Sequence, residues 1–314
     1  MVEVVDYEYN ISAIDSGYHR PHFDAIYLIV EDARAVIVDT GVNASVPRVL
    51  ATLRGKGIAP EQVDYVMLTH VHLDHAGGAG LLLSNLPHAQ LTVHPRGARH
   101  MADPAQLVAG ATAVYGVDAM RALYGDILPV PRERIVETPH EFKIKLNGRE
   151  FVFFETLGHA RHHVCILDTQ SGHMFTGDTF GLSFRELDDG ERQFAFPTTT
   201  PVQFDPEALH HSVDLIVGLR PEAVYVTHYG QVRDIPRLAA DLHRLIDAHA
   251  QLALVVRDDG PERHQRLKNG VARLLLEEKQ RQNWTLPCEK MLEIFASDIE
   301  LNAQGLAIWL DTTV

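Results

Sequence analysis

Cysteine is almost absent from this chain. Cys165 and Cys288 are the only two among 314 residues. They stand far apart, and Cys165 lies in an apolar run where it fills core space. This argues against a disulfide framework and makes a reducing cytoplasm the expected compartment. The stretch Met1-Val2-Glu3-Val4-Val5-Asp6 has no basic start leading into an apolar core, so no export signal is expected. Long apolar runs are missing too: none nears the roughly 20 residues that span a bilayer, and no membrane partner is expected. Basic charge is scarce, with 28 Lys and Arg against 42 Asp and Glu and a formal net charge of −14. That balance lacks the electrostatic footprint of a nucleic-acid or anionic-membrane partner. The densest basic stretch, Arg257–Lys268, is interleaved with acids. Repeats, low-complexity tracts and Pro/Gly/Ser-rich linkers are absent as well.

What is present is core and histidine. At 314 residues the chain can hold one large domain or two ordinary ones, its hydrophobic content of 46% supplies ample core, and 19 histidines are many for one chain. Short apolar runs at Ala25–Val30, Ala35–Asp39, Val63–Leu68 and Leu91–His94 predict strands, with helical spacing over Val46–Lys56 and Ala79–Leu86. Between about Pro95 and Pro131, Ala105–Tyr115 and Ala119–Tyr124 predict two inserted helices, either packed on a sheet or forming a wall over a pocket. Strands follow at Arg134–Glu137, Phe142–Leu146, Phe151–Thr156, His163–Asp168, Met174–Thr176 and Ala223–Thr227, with a positive-φ hairpin turn at Leu146-Asn147-Gly148-Arg149. Helices are expected at Asp205–Gly218, Ile235–His249, Pro261–Gln280 and Cys288–Ala296, with a short docked tail. The organisation expected is an α/β catalytic domain over residues 1–250, with a helical insert at about 95–131, and a helical extension over 251–314 packed on it.

The chemistry concentrates in Thr69-His70-Val71-His72-Leu73-Asp74-His75-Ala76-Gly77-Gly78. In extended backbone His70 and His72 project to one side, and Asp74 and His75 follow as the chain leaves the strand. Four ligand-type side chains can then converge at one strand end. Imidazole nitrogen and carboxylate oxygen are donors for Zn²⁺, and iron or manganese accept them too. Three further ligand types stand at strand ends beside turns: His159 in Leu157-Gly158-His159, Asp178 in Thr176-Gly177-Asp178, and His228 in Thr227-His228-Tyr229-Gly230.

This H-x-H-x-D-H motif, followed by G-H, G-D and a last His, resembles the metallo-β-lactamase superfamily over roughly residues 20–235. The resemblance implies a four-layer αβ/βα sandwich with two divalent metals at one edge, zinc first and iron or manganese as alternatives. It implies that His70, His72 and His159 hold one metal, that Asp74, His75 and His228 hold the second, and that Asp178 bridges them. A hydroxide held between the metals is then the nucleophile, and Asp74 orients it or takes its proton. Asp39, in Val38-Asp39-Thr40-Gly41, is the expected acceptor that orients a ligand. The common form G-H-T-P-G-H is here Gly158-His159-Ala160-Arg161-His162-His163. His163 falls on the family's second histidine, while Arg161 and His162 depart from the pattern, as substrate contacts or surface residues. Tyr229, the stretch Phe194–Asp205 and the loop Tyr18–His22 are further candidates for the pocket.

The function expected is a cytoplasmic binuclear hydrolase that cleaves an ester, thioester or lactone of a small molecule, resembling glyoxalase II and lactonases and self-associating as a homodimer. The alternative is a non-hydrolytic diiron protein that binds or reduces oxygen. The redox flavo-diiron branch typically has glutamate where this chain has His72. RNase Z-like nucleases normally add an RNA-gripping arm, and the acidic charge disfavours them.

Overall fold

The computed structural model describes residues 2–190 and 192–313. The chain divides into two compact units: Met1–Glu155 with His162–Gly177 and Pro221–Gln231, and Thr156–Arg161 with Asp178–Arg220 and Val232–Val314.

In chain order the elements are β1 (Val4–Tyr7), β2 (Ile11–Asp15), β3 (Ala25–Glu31), β4 (Arg34–Val38), α1 (Val46–Gly55), β5 (Val63–Met67), α2 (Leu73–Ala76), α3 (Ala79–Asn85) and β6 (Gln90–Val93). Then come α4 (Pro95–Ala102), α5 (Ala105–Tyr115), α6 (Val117–Tyr124), β7 (Ile135–Glu137), β8 (Phe142–Leu146), β9 (Arg149–Glu155), β10 (Val164–Asp168) and β11 (His173–Gly177). The chain closes with α7 (Pro206–Leu219), β12 (Ala223–Val226), β13 (Gly230–Val232), α8 (Ile235–Val255), α9 (Arg263–Gln282), α10 (Cys288–Ile294) and α11 (Ala296–Thr312).

Among the described residues one sheet orders its strands β1-β2-β3-β4-β5-β6-β7 and the other β13-β12-β11-β10-β9-β8. The first is antiparallel from β1 to β4 and parallel from β4 to β7, so its later strands point their carboxyl ends the same way. Strand β3 shows why the apolar runs are continuous. Tyr27 and Ile29 face the second sheet, in a core with Phe151, Phe153, Phe175 and Tyr225. Ile26 and Leu28 face the opposite way, in a core with α1, α3 and α4. Side chains alternate between the faces, and both faces are buried. Each fully buried Leu, Ile or Phe contributes on the order of 1.5–3 kcal/mol. Asn147 and Gly148 turn the β8–β9 hairpin with φ of 47° and 93°, as expected for a primed turn.

The second unit is helical. Its α7, α8, α9 and α11 pack on one another, together with the loop segments around residues 156–161 and 178–205. The fold is the α/β sandwich with helical insert and helical C-terminal extension that the resemblance implies.

Several elements differ from the sequence expectation. The insert has a third helix, α4, begun by Pro95 at its first turn and capped by His94, whose Nδ1 accepts from Arg96 N at 3.0 Å. The tail is not a short segment but the 17-residue helix α11. Buried Asn302 and Gly305 interrupt its apolar stripe and blur the helical period. Strands β1 and β2 also escape the pattern: Ile11-Ser12-Ala13-Ile14-Asp15 is buried throughout, yet two of its residues are polar.

Candidate metal centre

Strand β5 ends at Met67, and the chain bends at Thr69 and reaches an extended His72 before turning into α2. His70 and His72 do project together, with His70 Nε2 2.9 Å from His72 Nδ1. The short helix α2 then lifts Asp74 and His75 to the same place. His228, just past β12 and Thr227, arrives from the second sheet: His75 Nε2 and His228 Nε2 lie 3.7 and 3.6 Å from Asp74 Oδ2. One donor atom from each of Asp74, His75 and His228 falls within 4.8 Å of the others.

The outward nitrogens decide what the inward ones can do. His75 Nδ1 is 2.9 Å from Asp39 Oδ2, and both groups are buried. His228 Nδ1 is 3.0 Å from Asp24 Oδ1 and 3.0 Å from the Phe23 carbonyl. A carboxylate or carbonyl opposite Nδ1 places the proton there and leaves Nε2 as a lone pair. His70 follows the same logic. The Thr69 hydroxyl donates to Asp39, at 2.9 Å from Oδ2, and so accepts from His70 Nδ1 at 3.1 Å. Lone pairs of His75 and His228 therefore gather at the Asp74 carboxylate, while the inward Nε2 of His70 faces His72, the donor chemistry of a borderline divalent cation. The residues present fit a metal.

Asp39 is the hub of this arrangement. It adopts φ of 58° after β4 and also accepts from Thr69 N at 2.8 Å and Thr227 Oγ1 at 3.1 Å. Its acceptors thus tie the loops after β4, β5 and β12 together. His163 is fully buried with its ring 4.9 Å from that of His70. It lies beneath Gly177, where φ is +47° and an added Cβ would come 2.6 Å from His163 Nε2. His162 is buried as well, its ring roughly perpendicular to that of His72 at 5.7 Å.

His159 and Asp178 belong to the helical unit, and Asp178 directly follows the last residue of β11. His159 Nε2 lies 3.4 Å from Asp178 Oδ2, and its Nδ1 lies 2.9 Å from Thr198 Oγ1. Gly158 precedes it with φ of +118°, its α-carbon so close to α7 that a Cβ would meet Leu209 N at 2.3 Å. Arg161 is exposed, and its N–H donates to Gln203 Oε1 at 2.6 Å. Tyr229 is buried in the core between the sheets.

A family model for the metallo-beta-lactamase superfamily matches residues 20–228. The chain belongs to that superfamily. Hydroxyacylglutathione hydrolase of Xanthomonas campestris pv. campestris is 30% identical over 189 residues, 59% of this chain and 55% of that protein. This chain thus matches about half the length of that enzyme. A solved archaeal superfamily protein from Sulfolobus tokodaii superposes with a TM-score of 0.65 at 23% identity, covering 95% of this chain and 98% of that one. The chemotaxis sensor ODP, solved as a peroxy diiron species, superposes with a TM-score of 0.54 at 16% identity, covering 77% and 94%. Most of the superfamily are hydrolases, and the fold also carries such non-hydrolytic members.

Sequence reasoning passed over Asp24, and it named the loop Tyr18–His22 and the insert helix ending at Tyr124 without singling out their two phenols. Asp24 is fully buried at the start of β3, and burial raises its carboxyl to about 6 while His228 pulls it down. Tyr18 and Tyr124 share a hydrogen bond of 2.9 Å. Burial, and next the charge of Asp74, raise both phenols well above the ordinary range. Their apolar neighbours come from the insert, Val108, Tyr115 and Met120 among them. A carboxylate opening an apolar strand, as in Phe23-Asp24-Ala25, was the one local signal available for Asp24.

Proposed function

We propose that this chain is a binuclear metal-dependent hydrolase acting on an ester, thioester or lactone of a small molecule. The observation that carries the reading is the convergence of His75 Nε2 and His228 Nε2 on Asp74 Oδ2, with both outward nitrogens held by acceptors. His70, His72 and His159 form one ligand group, Asp74, His75 and His228 the other, with Asp178 shared. Bound there, two such cations supply Lewis acidity and acidify water toward neutral pH.

The protein's own groups do the rest. Asp74 orients the attacking water and accepts its proton, a task that suits a carboxylate held at the edge of the cluster. Asp39, Asp24 and Thr69 keep the imidazoles in one tautomer, so that no reorganisation is needed during reaction. Tyr18 and Tyr124 stay protonated across the physiological range, and since one hydroxyl donates to the other, the pair keeps one O–H to offer a substrate within reach of the charge of Asp74. The apolar insert around them suits an acyl or ring portion of limited polarity.

Elemental analysis and an absorption spectrum of protein purified without added metal come first, followed by thioester, lactone and ester panels. Two zinc per chain, no visible band and turnover of one substrate class are the expected results. Two iron with a band that responds to oxygen, and no hydrolysis, would overturn the proposal in favour of an oxygen-binding role.

A further inference from the structure

A second cluster of histidines lies within the helical unit. On α7, His210 and Asp214 are one turn apart; on α8, His243 and Asp247 repeat the same His-x-x-x-Asp spacing. Residues four apart share a helix face. The two faces meet with crossed partners: His210 Nε2 is 3.0 Å from Asp247 Oδ1, and His243 Nε2 is 3.1 Å from Asp214 Oδ1. Crossing of this kind is what antiparallel helices produce.

The remaining nitrogens face each other, His210 Nδ1 and His243 Nδ1 standing 2.6 Å apart. The ring planes differ by 13° and the centroids are 4.9 Å apart. That separation equals the N···N distance plus one ring radius on each side, so the rings are nearly coplanar and meet nitrogen to nitrogen. Both Nε2 positions carry their proton toward a carboxylate, which leaves a lone pair on each Nδ1. Two lone pairs in such contact repel unless a cation sits between or beside them. The surroundings favour one, for the two carboxylates add negative charge, and the neighbouring Arg244 is engaged by Asp241 and Glu278 at 2.9 and 2.8 Å.

We infer that His210 and His243 form a surface site for a divalent transition-metal cation, bound through both Nδ1 atoms and completed by water. Each ligand then has the carboxylate partner that metal-bound histidines characteristically carry. With Zn–N bonds of about 2.0–2.1 Å, two tetrahedral ligand nitrogens stand about 3.4 Å apart. The nitrogens must therefore part by under about 1 Å, and each ring must tilt so that its lone pair turns from the facing nitrogen toward the metal, movements open to side chains that are only partly buried.

The test is a Ni²⁺ titration by calorimetry on zinc-loaded protein, with Zn²⁺ as a second probe. Wild type is expected to take up one cation beyond its resident metals. His210→Ala and His243→Ala should each abolish that equivalent while keeping the resident zinc and the wild-type circular dichroism. Asp214→Asn and Asp247→Asn should weaken it about 10- to 100-fold. Long-range ¹H–¹⁵N imidazole spectra should show two Nδ1 resonances shifting on metal addition. Equal stoichiometry in wild type and both alanine variants, or Nδ1 signals that respond to pH but not to metal, overturns the site. Because the zinc content of the centre around Asp74 is measured in the same samples, failure there is read separately.

Discussion

Asn302 on α11 grips the loop that holds His159. Its Oδ1 accepts from Thr199 N at 2.7 Å, and its Nδ2 donates to the Pro197 carbonyl at 3.3 Å. Thr198, between those two residues, is the one whose hydroxyl meets His159 Nδ1. Gly305, one turn further along α11, has no room for a side chain, since a Cβ would stand 1.5 Å from the Thr199 carbonyl. The C-terminal helix is thus part of the support of a proposed metal ligand.

Asn302→Leu should therefore cost about 1–3 kcal/mol of stability, from buried loop groups left unpaired. It should also lower metal retention on dialysis. Thr198→Val should lower retention at smaller stability cost, and Thr198→Ser should restore it. Wild-type metal content in Thr198→Val would detach this loop from the site.

Asp178→Ala should remove the shared ligand, and the protein should then carry at least one metal fewer by elemental analysis. Unchanged content in that variant sinks the assignment of Asp178.

Asp39→Ala should weaken metal binding about 10- to 100-fold, because His75 loses the acceptor that sets its tautomer. Asn at this position tolerates φ of 58° better than Ala and keeps one acceptor, so Asp39→Asn should fall between the two. Competition against a chromophoric chelator gives the ranking.

Gly177→Ala combines a strained backbone with a Cβ pressed on His163 and Thr69. Expected are a lower melting temperature and displaced imidazole resonances of His163 and His70. Resonances at their wild-type positions would show that the ring packing absorbs the methyl group.

His249 on α8 supplies a pH test away from the metals. It is fully buried, and burial lowers its pKa to about 4 from 6.5. The unfolded chain therefore binds a proton that the folded chain refuses as pH falls from 6.5 toward 4. Stability should drop over that window by roughly 3 kcal/mol from this group alone. His249→Leu should flatten the slope of denaturation free energy against pH by one proton equivalent.

Local residue patterns already encode the strands with two buried faces, the hairpin at Asn147-Gly148 and the dense H-x-H-x-D-H run. All are local: side-chain alternation, a turn's φ requirement, and donors spaced so closely that backbone geometry brings them together. Tertiary structure decided which groups steady those donors. Asp39 meets Thr227 across 188 positions and Asn302 meets Thr199 across 103, distances over which no residue pattern encodes a hydrogen bond. The same holds for the two His-x-x-x-Asp repeats. Each is legible on its own helix, but only the antiparallel packing of α7 on α8 turns them into a pair of facing nitrogens. Side-chain period follows from the chain's own geometry, whereas the choice of partner follows from packing, which the whole fold must settle at once.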